Sequence, residues 1–202
     1  MGTSTIVDII GSFFVAGILL LMGLSLNASS NEVRATYSGN YNLQANLTTL
    51  VEMLQTDFRK IGYCRVWQNM SNPIQDAEAN KIIFRADLYN TGTVNTVTYY
   101  TGPTSELNDT PNPSDFYLYR KVDGGTPTKM NFGTTQFSLA YRDASDSALN
   151  FPIPDPRLVY YMTVSLAVST PAPYKEEFSK DSSKYQVYWK QVRLVSRNLT
   201  NR

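Results

Sequence analysis

The sequence predicts an α+β chain in which one long N-terminal helix packs on an antiparallel β-sheet. Three observations carry this reading. The stretch TIVDIIGSFFVAGILLLMGLSL, Thr5 to Leu26, is apolar almost throughout. Apolar residues then recur at helical spacing from Leu43 to Ile61. From Lys81 onward the period drops to two, and clusters of turn residues separate the runs.

The apolar stretch comes first. No residue between Ile9 and Leu26 is charged, and with Ile6 and Val7 the run reaches the ~20 residues a helix needs to cross a bilayer core. A cleaved secretory signal opens with basic residues and closes on a small-residue cleavage site. Met1 to Val7 holds no Lys or Arg, and Asn27-Ala28-Ser29 is a poor cleavage site, so the segment is expected to be retained. Gly11, Gly17 and Gly23 either let neighbouring helices approach closely or give places to bend, and both readings stand. Asp8 interrupts the apolar run near its beginning. An ionised carboxylate at the bilayer centre costs about 2.5–3.5 kcal/mol, less near a helix start, where the helix dipole favours it. Asp8 is then either a helix charge at the membrane interface or a carboxylate kept for a cationic partner from another chain.

The amphipathic half follows the polar stretch Asn27–Asn40. Leu43, Leu47, Leu50, Val51, Leu54, Phe58 and Ile61 are spaced four, three, one, three, four and three apart, which is one helix face. Gln44, Gln55, Asp57, Arg59 and Lys60 are assigned to the other faces. Gly62 is placed to end the helix as its C′ residue. One helix from about Ser4 to about Ile61 is expected, with Gly39 and the Asn-rich stretch as the points of interruption. Residues 1–27 form the apolar helix, 28–62 the amphipathic helix, and 63–202 a β-rich head domain.

In the head, KIIFRADL (Lys81–Leu88) and TVNTVTYY (Thr93–Tyr100) flank the turn cluster YNTG. DFYLYRKV (Asp115–Val122) runs into Asp123-Gly124-Gly125, a hairpin signal. QFSLAYRD (Gln136–Asp143) alternates, with Phe137, Leu139 and Tyr141 on one face. RLVYYMTVSLAV (Arg157–Val168) reads as a central strand. In YQVYWKQVRLVSRN (Tyr185–Asn198), Val187, Trp189, Gln191, Arg193 and Val195 share one face, while Tyr188, Val192 and Leu194 lie nearer the other, with a bend or bulge expected. The loops 101–114, 144–156 and 169–184 are polar.

Composition narrows the chemistry. The chain has 202 residues and a formal net charge of +1, so nothing in the balance calls for a nucleic acid or an acidic substrate. It has no histidine, which removes Ser-His-Asp and Cys-His catalysis and imidazole-bound zinc. It has one cysteine, Cys64, hence no intrachain disulfide, and a half-buried thiol near a helix end is the reading kept. Fourteen Tyr and nine Phe suit a sheet with half-wet faces. No catalytic residue, metal site or cofactor is assigned. Asp143–Asp146 with Asp155 lacks the regular pattern of a calcium loop and is read as a solvated acidic loop. Lys184, Lys190, Arg193, Arg197 and Arg202, interleaved with Tyr185, Tyr188 and Trp189, are weighed as a DNA contact. A charged sheet face is the commoner identity of such a cluster and is preferred.

Several segments resemble one family, in order along nearly the whole chain. TIVDII (Thr5–Ile10) resembles the TLIELL that opens the mature helix of type IV pilins and type II secretion pseudopilins, with Asp8 on their acidic position. LQTDFRKIGY (Leu54–Tyr63) is similar to the helix-end pattern of W-type minor pilins and J-type pseudopilins. FSLAYRDA (Phe137–Ala144) and VRLVSRN (Val192–Asn198) resemble their later strands. The chain departs from the family in carrying only Met1-Gly2-Thr3-Ser4 before the motif, without a basic residue, and Asp in place of Glu.

The resemblance implies a structural subunit, not an enzyme, of a type IV pilus-like filament. It would sit in the bacterial inner membrane before assembly and in a cell-surface filament afterwards. Its partners would be other copies or related pilin subunits and the pilus assembly platform. Assembly would run through Thr5, Ile6, Val7, Asp8, Ile9, Ile10, Phe13, Phe14, Gly17 and Leu20. Leu47, Leu50, Val51, Leu54, Phe58 and Ile61 would hold the helix to the head. A minor or tip role and a repeating role both remain, as do a type II secretion pseudopilin and a membrane-anchored ligand-binding β-domain that does not polymerise.

Overall fold

A computed structural model describes residues 2–171, 185–195 and 197–199. The fold is α+β, as the spacing predicts. Helix α1 runs Gly2–Phe58 without a break, through Gly39 and the Asn-rich stretch alike. The chain divides into two compact units, Met1–Tyr41 and Asn42–Arg202.

In the second unit the C-terminal part of α1 lies on one antiparallel sheet. Its strands are β1 (Ile74–Ala77), β2 (Lys81–Ala86), β3 (Asn95–Thr101), β4 (Phe116–Val122), β5 (Thr128–Arg142), β6 (Ala148–Leu149), β7 (Tyr161–Ser169) and β8 (Val187–Val195). Their order is β1-β2-β3-β4-β5-β7-β8, with β6 paired to β5. The sheet curls far enough that Ala79, in the β1–β2 turn, accepts a 2.7 Å hydrogen bond from the backbone N–H of Leu139 on β5. The Tyr141 hydroxyl donates to the Glu78 carbonyl beside it.

The core forms inside this curl. Leu43, Leu47, Leu50, Val51, Leu54, Phe58 and Ile61 are all buried, against Ile82, Phe84, Val97, Tyr99, Leu118, Phe137, Leu139, Val164 and Leu166 from the strands. Phe58 meets the rings of Phe84 and Tyr99 edge-on, at centroid distances of 5.6 and 5.3 Å. That geometry sets the positive edge of each ring against a negative face.

The structure departs from the sequence expectations at several places, each with a local reason. Asp57, assigned to a solvent face of α1, is only 6% exposed, because Arg120 and Tyr99 meet it from the sheet. The helix closes at Phe58 and the chain turns through residues 59–62. Gly62 takes φ +75°, and a side chain there would crowd Pro73 and Asn198. β3 starts at Asn95, two residues late, since the backbone N–H groups of Thr91 and Gly92 are held by the Asp87 carboxylate. β7 starts at Tyr161. Ahead of it Pro156–Leu158 form a 3-10 turn whose first N–H is capped by Asp155.

β5 begins at Thr128, well before the predicted Gln136, and it changes partner midway. Its first half pairs with β4, its second with β7, and both pairings are irregular beside Thr134. Gly133 makes the bend, with φ +67° and a position where a Cβ would lie 2.6 Å from the Ser169 carbonyl oxygen. The bulge expected in the last strand is therefore in β5. β8 pairs with β7 without a register shift from Val187 to Val195. β1 and β6, four and two residues long, are too short to stand out as runs.

Candidate functional site

The first compact unit presents the apolar surface the sequence predicts. Ile6, Val7, Ile9, Ile10, Phe13, Phe14 and Leu20 are all exposed, as are Thr5, Asp8 and Gly17. The apolar window of the helix is long enough to cross a membrane, and none of it is buried. The polar atoms within it are economical. Ser12 returns its hydroxyl to the Ile9 carbonyl at 2.8 Å, the local bond that lets a serine sit in a low-dielectric medium. Asp8 and Ser12 are four residues apart and so share a helix face, with Gly11 beside them. Nothing lies within 4 Å of where a Cβ would stand at Gly11, Gly17 or Gly23.

Among the described residues of the second unit, three buried polar centres tie elements together. The first joins α1 to the sheet. Asp57 Oδ2 accepts 2.7 Å hydrogen bonds from the Tyr99 hydroxyl and from Arg120 Nε, and Arg120 Nε also reaches the Tyr99 oxygen at 3.1 Å. Burial and the neighbouring Asp57 carboxylate push the Tyr99 hydroxyl far above its ordinary pKa, so it stays a donor.

The second centre is Asp87, which is fully buried. Its carboxylate accepts from the backbone N–H groups of Arg65 (3.2 Å), Thr91 (3.0 Å) and Gly92 (2.7 Å). Burial raises its pKa, but those backbone donors outweigh burial and hold the group below the usual carboxylate range. Asp87 thereby ties the post-helix loop to the β2–β3 turn. Asn69 Nδ2 and the Cys64 thiol add bonds to the Gly92 carbonyl, at 2.9 and 3.5 Å.

The third centre is Asp115, 1% exposed, beside Asn112 and Ser169. Asn112 donates to Ser169 Oγ and to the Thr170 carbonyl, closing the β3–β4 loop over the end of β7. Asp115 Oδ2 and Thr110 Oγ1 are both buried without a well-formed hydrogen bond among the described residues. Burial raises the Asp115 pKa, and the nearby Thr110 and Ser169 hydroxyls offset only part of that. A raised carboxylate pKa means that ionisation opposes folding. The cost is absent below the unfolded-state pKa, near 4, and complete above the folded-state value. Asp115→Asn is therefore expected to raise the thermal midpoint at pH 7, by roughly 2–4 °C per kcal/mol recovered. The gain should fade by pH 3.5. A gain of equal size at both pH values would refute the assignment.

The remaining sequence candidates are placed as follows. On β8, Val187, Trp189 and Arg193 face out, whereas Leu194 is buried and Tyr188 turns inward to accept a bond from Gln44 Nε2. Arg193 pairs with Asp146 and lies over the Tyr161 ring at 4.5 Å. Of the cluster weighed for DNA, Lys184, Arg202 and the Arg197 side chain lie outside the described residues. Lys190 and Trp189 are exposed, and Arg193 already has a carboxylate partner. The acidic loop is equally committed. Asp143 Oδ1 accepts from the backbone N–H groups of Ser145 and Ser147, and Asp146 faces Arg142 and Arg193. No group of three metal-ligating side chains occurs among the described residues.

A surface cleft of about 500 Å³ was not anticipated from the sequence. Gly62, Tyr63, Cys64, Trp67, Met70, Asn72, Pro73, Arg157 and Asn198 line it. The one sequence signal was an isolated tryptophan in a polar loop. Comparison with protein family models, curated proteins and solved structures gives no match to this chain.

Proposed function

We propose that the chain is a structural subunit of a type IV pilus-like filament, assembling through its N-terminal apolar helix. The observation that carries this reading is the wholly unburied apolar window of α1, joined in one continuous helix to residues that form the core of a folded head. Exposed apolar surface costs about 25 cal/mol per Å² in water, so the segment needs another solvent. Lipid provides it before assembly, and the packed helices of sister subunits provide it afterwards. The head needs no such help, since its own core is complete.

Asp8 fits both stages. Near the start of the helix it lies at the bilayer interface. In a helix bundle it would meet a cation from an adjacent subunit, the N-terminal ammonium being the nearest in kind. A buried ion pair adds little net stability, but removing one partner costs about 3–5 kcal/mol. Asp8 would thus select the axial offset at which subunits dock. The glycines and Ser12 allow close helix approach in the same bundle.

Sheared surface filaments are expected to contain the protein, and Asp8→Ala is expected to leave it membrane-inserted but absent from the sheared fraction. Asp8→Ala subunits that assemble like the parent would end the register argument. A protein that stays wholly in the membrane fraction would favour the anchored ligand-binding domain instead. A type II secretion pseudopilin uses its helix in the same way, and loss of secretion without loss of surface pili on deletion would identify it.

A further inference from the structure

We infer that the head carries a docking surface for an anionic phospholipid bilayer. Val66 and Trp67 on the post-helix loop and Tyr89 in the β2–β3 turn form its apolar part, with Arg59, Lys60 and Arg65 supplying positive charge.

The apolar part is large and held in place. Trp67 is 75% exposed, Tyr89 70% and Val66 41%. Their two loops are neighbours, because the backbone N–H groups of Arg65, Thr91 and Gly92 all end on the Asp87 carboxylate. Lys60 Nζ ties the same two segments again, donating to the Leu88 carbonyl at 2.8 Å. A single exposed apolar side chain is ordinary, but two large aromatics and a valine on adjoining loops make a patch. Indole and phenol each join an apolar ring to one polar atom, which suits the headgroup level of a bilayer.

The backbone of these loops is already provided for. Peptide groups that lose water without another partner make loop insertion costly. Here the Val66 and Trp67 carbonyls accept from the N–H groups of Asn69 and Met70, both at 3.0 Å. The Gly92 carbonyl accepts from Asn69 Nδ2 and the Cys64 thiol, and Asn90 Oδ1 accepts from the Tyr63 hydroxyl at 2.7 Å. The loops can therefore enter a lipid interface as they stand, without giving up bonds to water that the fold would have to replace.

Charge names the kind of lipid. Arg59 and Arg65 are exposed, and neither forms an ion pair with another described residue. Lys60 keeps its charge while a carbonyl holds it next to Tyr89. Each such cation near an anionic leaflet is worth about fivefold in affinity. Single-stranded nucleic acid would use the cations and the two rings, but Val66 gives a base no face to stack on. A bilayer uses all six side chains.

The test keeps α1 in its own solvent. The full chain is placed in a nanodisc of phosphatidylcholine and mixed with vesicles of phosphatidylcholine, with or without phosphatidylglycerol, empty discs serving as control. The chain has two tryptophans, so Trp189→Phe leaves Trp67 as the sole indole reporter. Loaded discs are expected to float with the anionic vesicles only, less so at high salt, and brominated lipid in those vesicles should quench Trp67. Trp67→Ser should weaken flotation about tenfold, and Arg59→Gln with Arg65→Gln about 25-fold. All three side chains are exposed, so the thermal midpoint should hold. Equal capture by neutral vesicles refutes the inference, as does flotation of Trp67→Ser or of the double Arg variant at parental affinity. It is equally refuted if Trp67 responds only to oligothymidylate or polyglutamate. Each disc holds dispersed subunits, so the result is independent of whether the chain polymerises.

Discussion

Phe58→Ala is expected to destabilise the head by about 3–5 kcal/mol, the usual range for emptying a buried phenylalanine site. Three features place it at the upper end. Phe58 is 1% exposed, so the cavity is sealed from water. It sits edge-on to both Phe84 and Tyr99, and such ring pairs add about 0.5–1.5 kcal/mol beyond area. It is also the last residue of α1, where the chain turns toward Gly62, so the helix above and the sheet beneath both lean on it. A loss of this size is a large share of the 5–15 kcal/mol that holds an ordinary domain together. Denaturant titration of the full chain in detergent, followed by tyrosine and tryptophan emission, would measure it. A loss below about 1 kcal/mol would mean that the aromatic trio is not the centre of the core. Phe58→Leu, which refills most of the volume, should recover more than half.

Asp57→Ala is expected to cost about 3 kcal/mol. The figure sits at the low end of the range for breaking a buried pair, because the Arg120 side chain keeps 24% of its surface in water. The change leaves Arg120 Nε with only its 3.1 Å contact to the Tyr99 oxygen and removes the acceptor of the Tyr99 hydroxyl. The penalty is that of orphaned donors more than of lost attraction. This gives a sharper test than the single variant. Asp57→Leu with Arg120→Met removes both charges together and should lie closer to the parent than Asp57→Ala, keeping only the cost of the Tyr99 hydroxyl's lost acceptor, about 1–3 kcal/mol. A double variant as unstable as the sum of the singles would show that the two side chains act independently. Tyr99→Phe keeps the ring against Phe58 and should cost about 1 kcal/mol, the worth of one hydrogen bond.

These two sites differ in how far they could be read from the chain. Phe58 was legible: it falls on the three-and-four spacing that runs from Leu43 to Ile61, and every member of that series is buried. Asp57 was not. Its position borders the apolar stripe, and periodicity alone assigns a carboxylate there to solvent. Its burial depends on Arg120, 63 residues away on β4. The same holds for the Trp67 cleft, which gathers the post-helix loop, the turn at Arg157 and Asn198 from the end of the chain. The strands were legible where alternation was clean, as in β2 and the second half of β5. They were not legible where a strand was four residues or fewer, or where a glycine bend lay inside one.

By itself the sequence determined the apolar segment from Thr5 to Leu26, the core-facing side of the second half of α1, and the inward and outward faces of the main strands. All of these follow from periodicity, a property of consecutive residues. The tertiary structure alone decided that β5 changes partner at Gly133, that Asp57 is buried against Arg120 and Tyr99, and that Asp87 clamps the loop bearing Trp67. Each of these is a contact between residues far apart in the chain. Its free energy depends on a partner's position and on exclusion of water, and neither is written in local order.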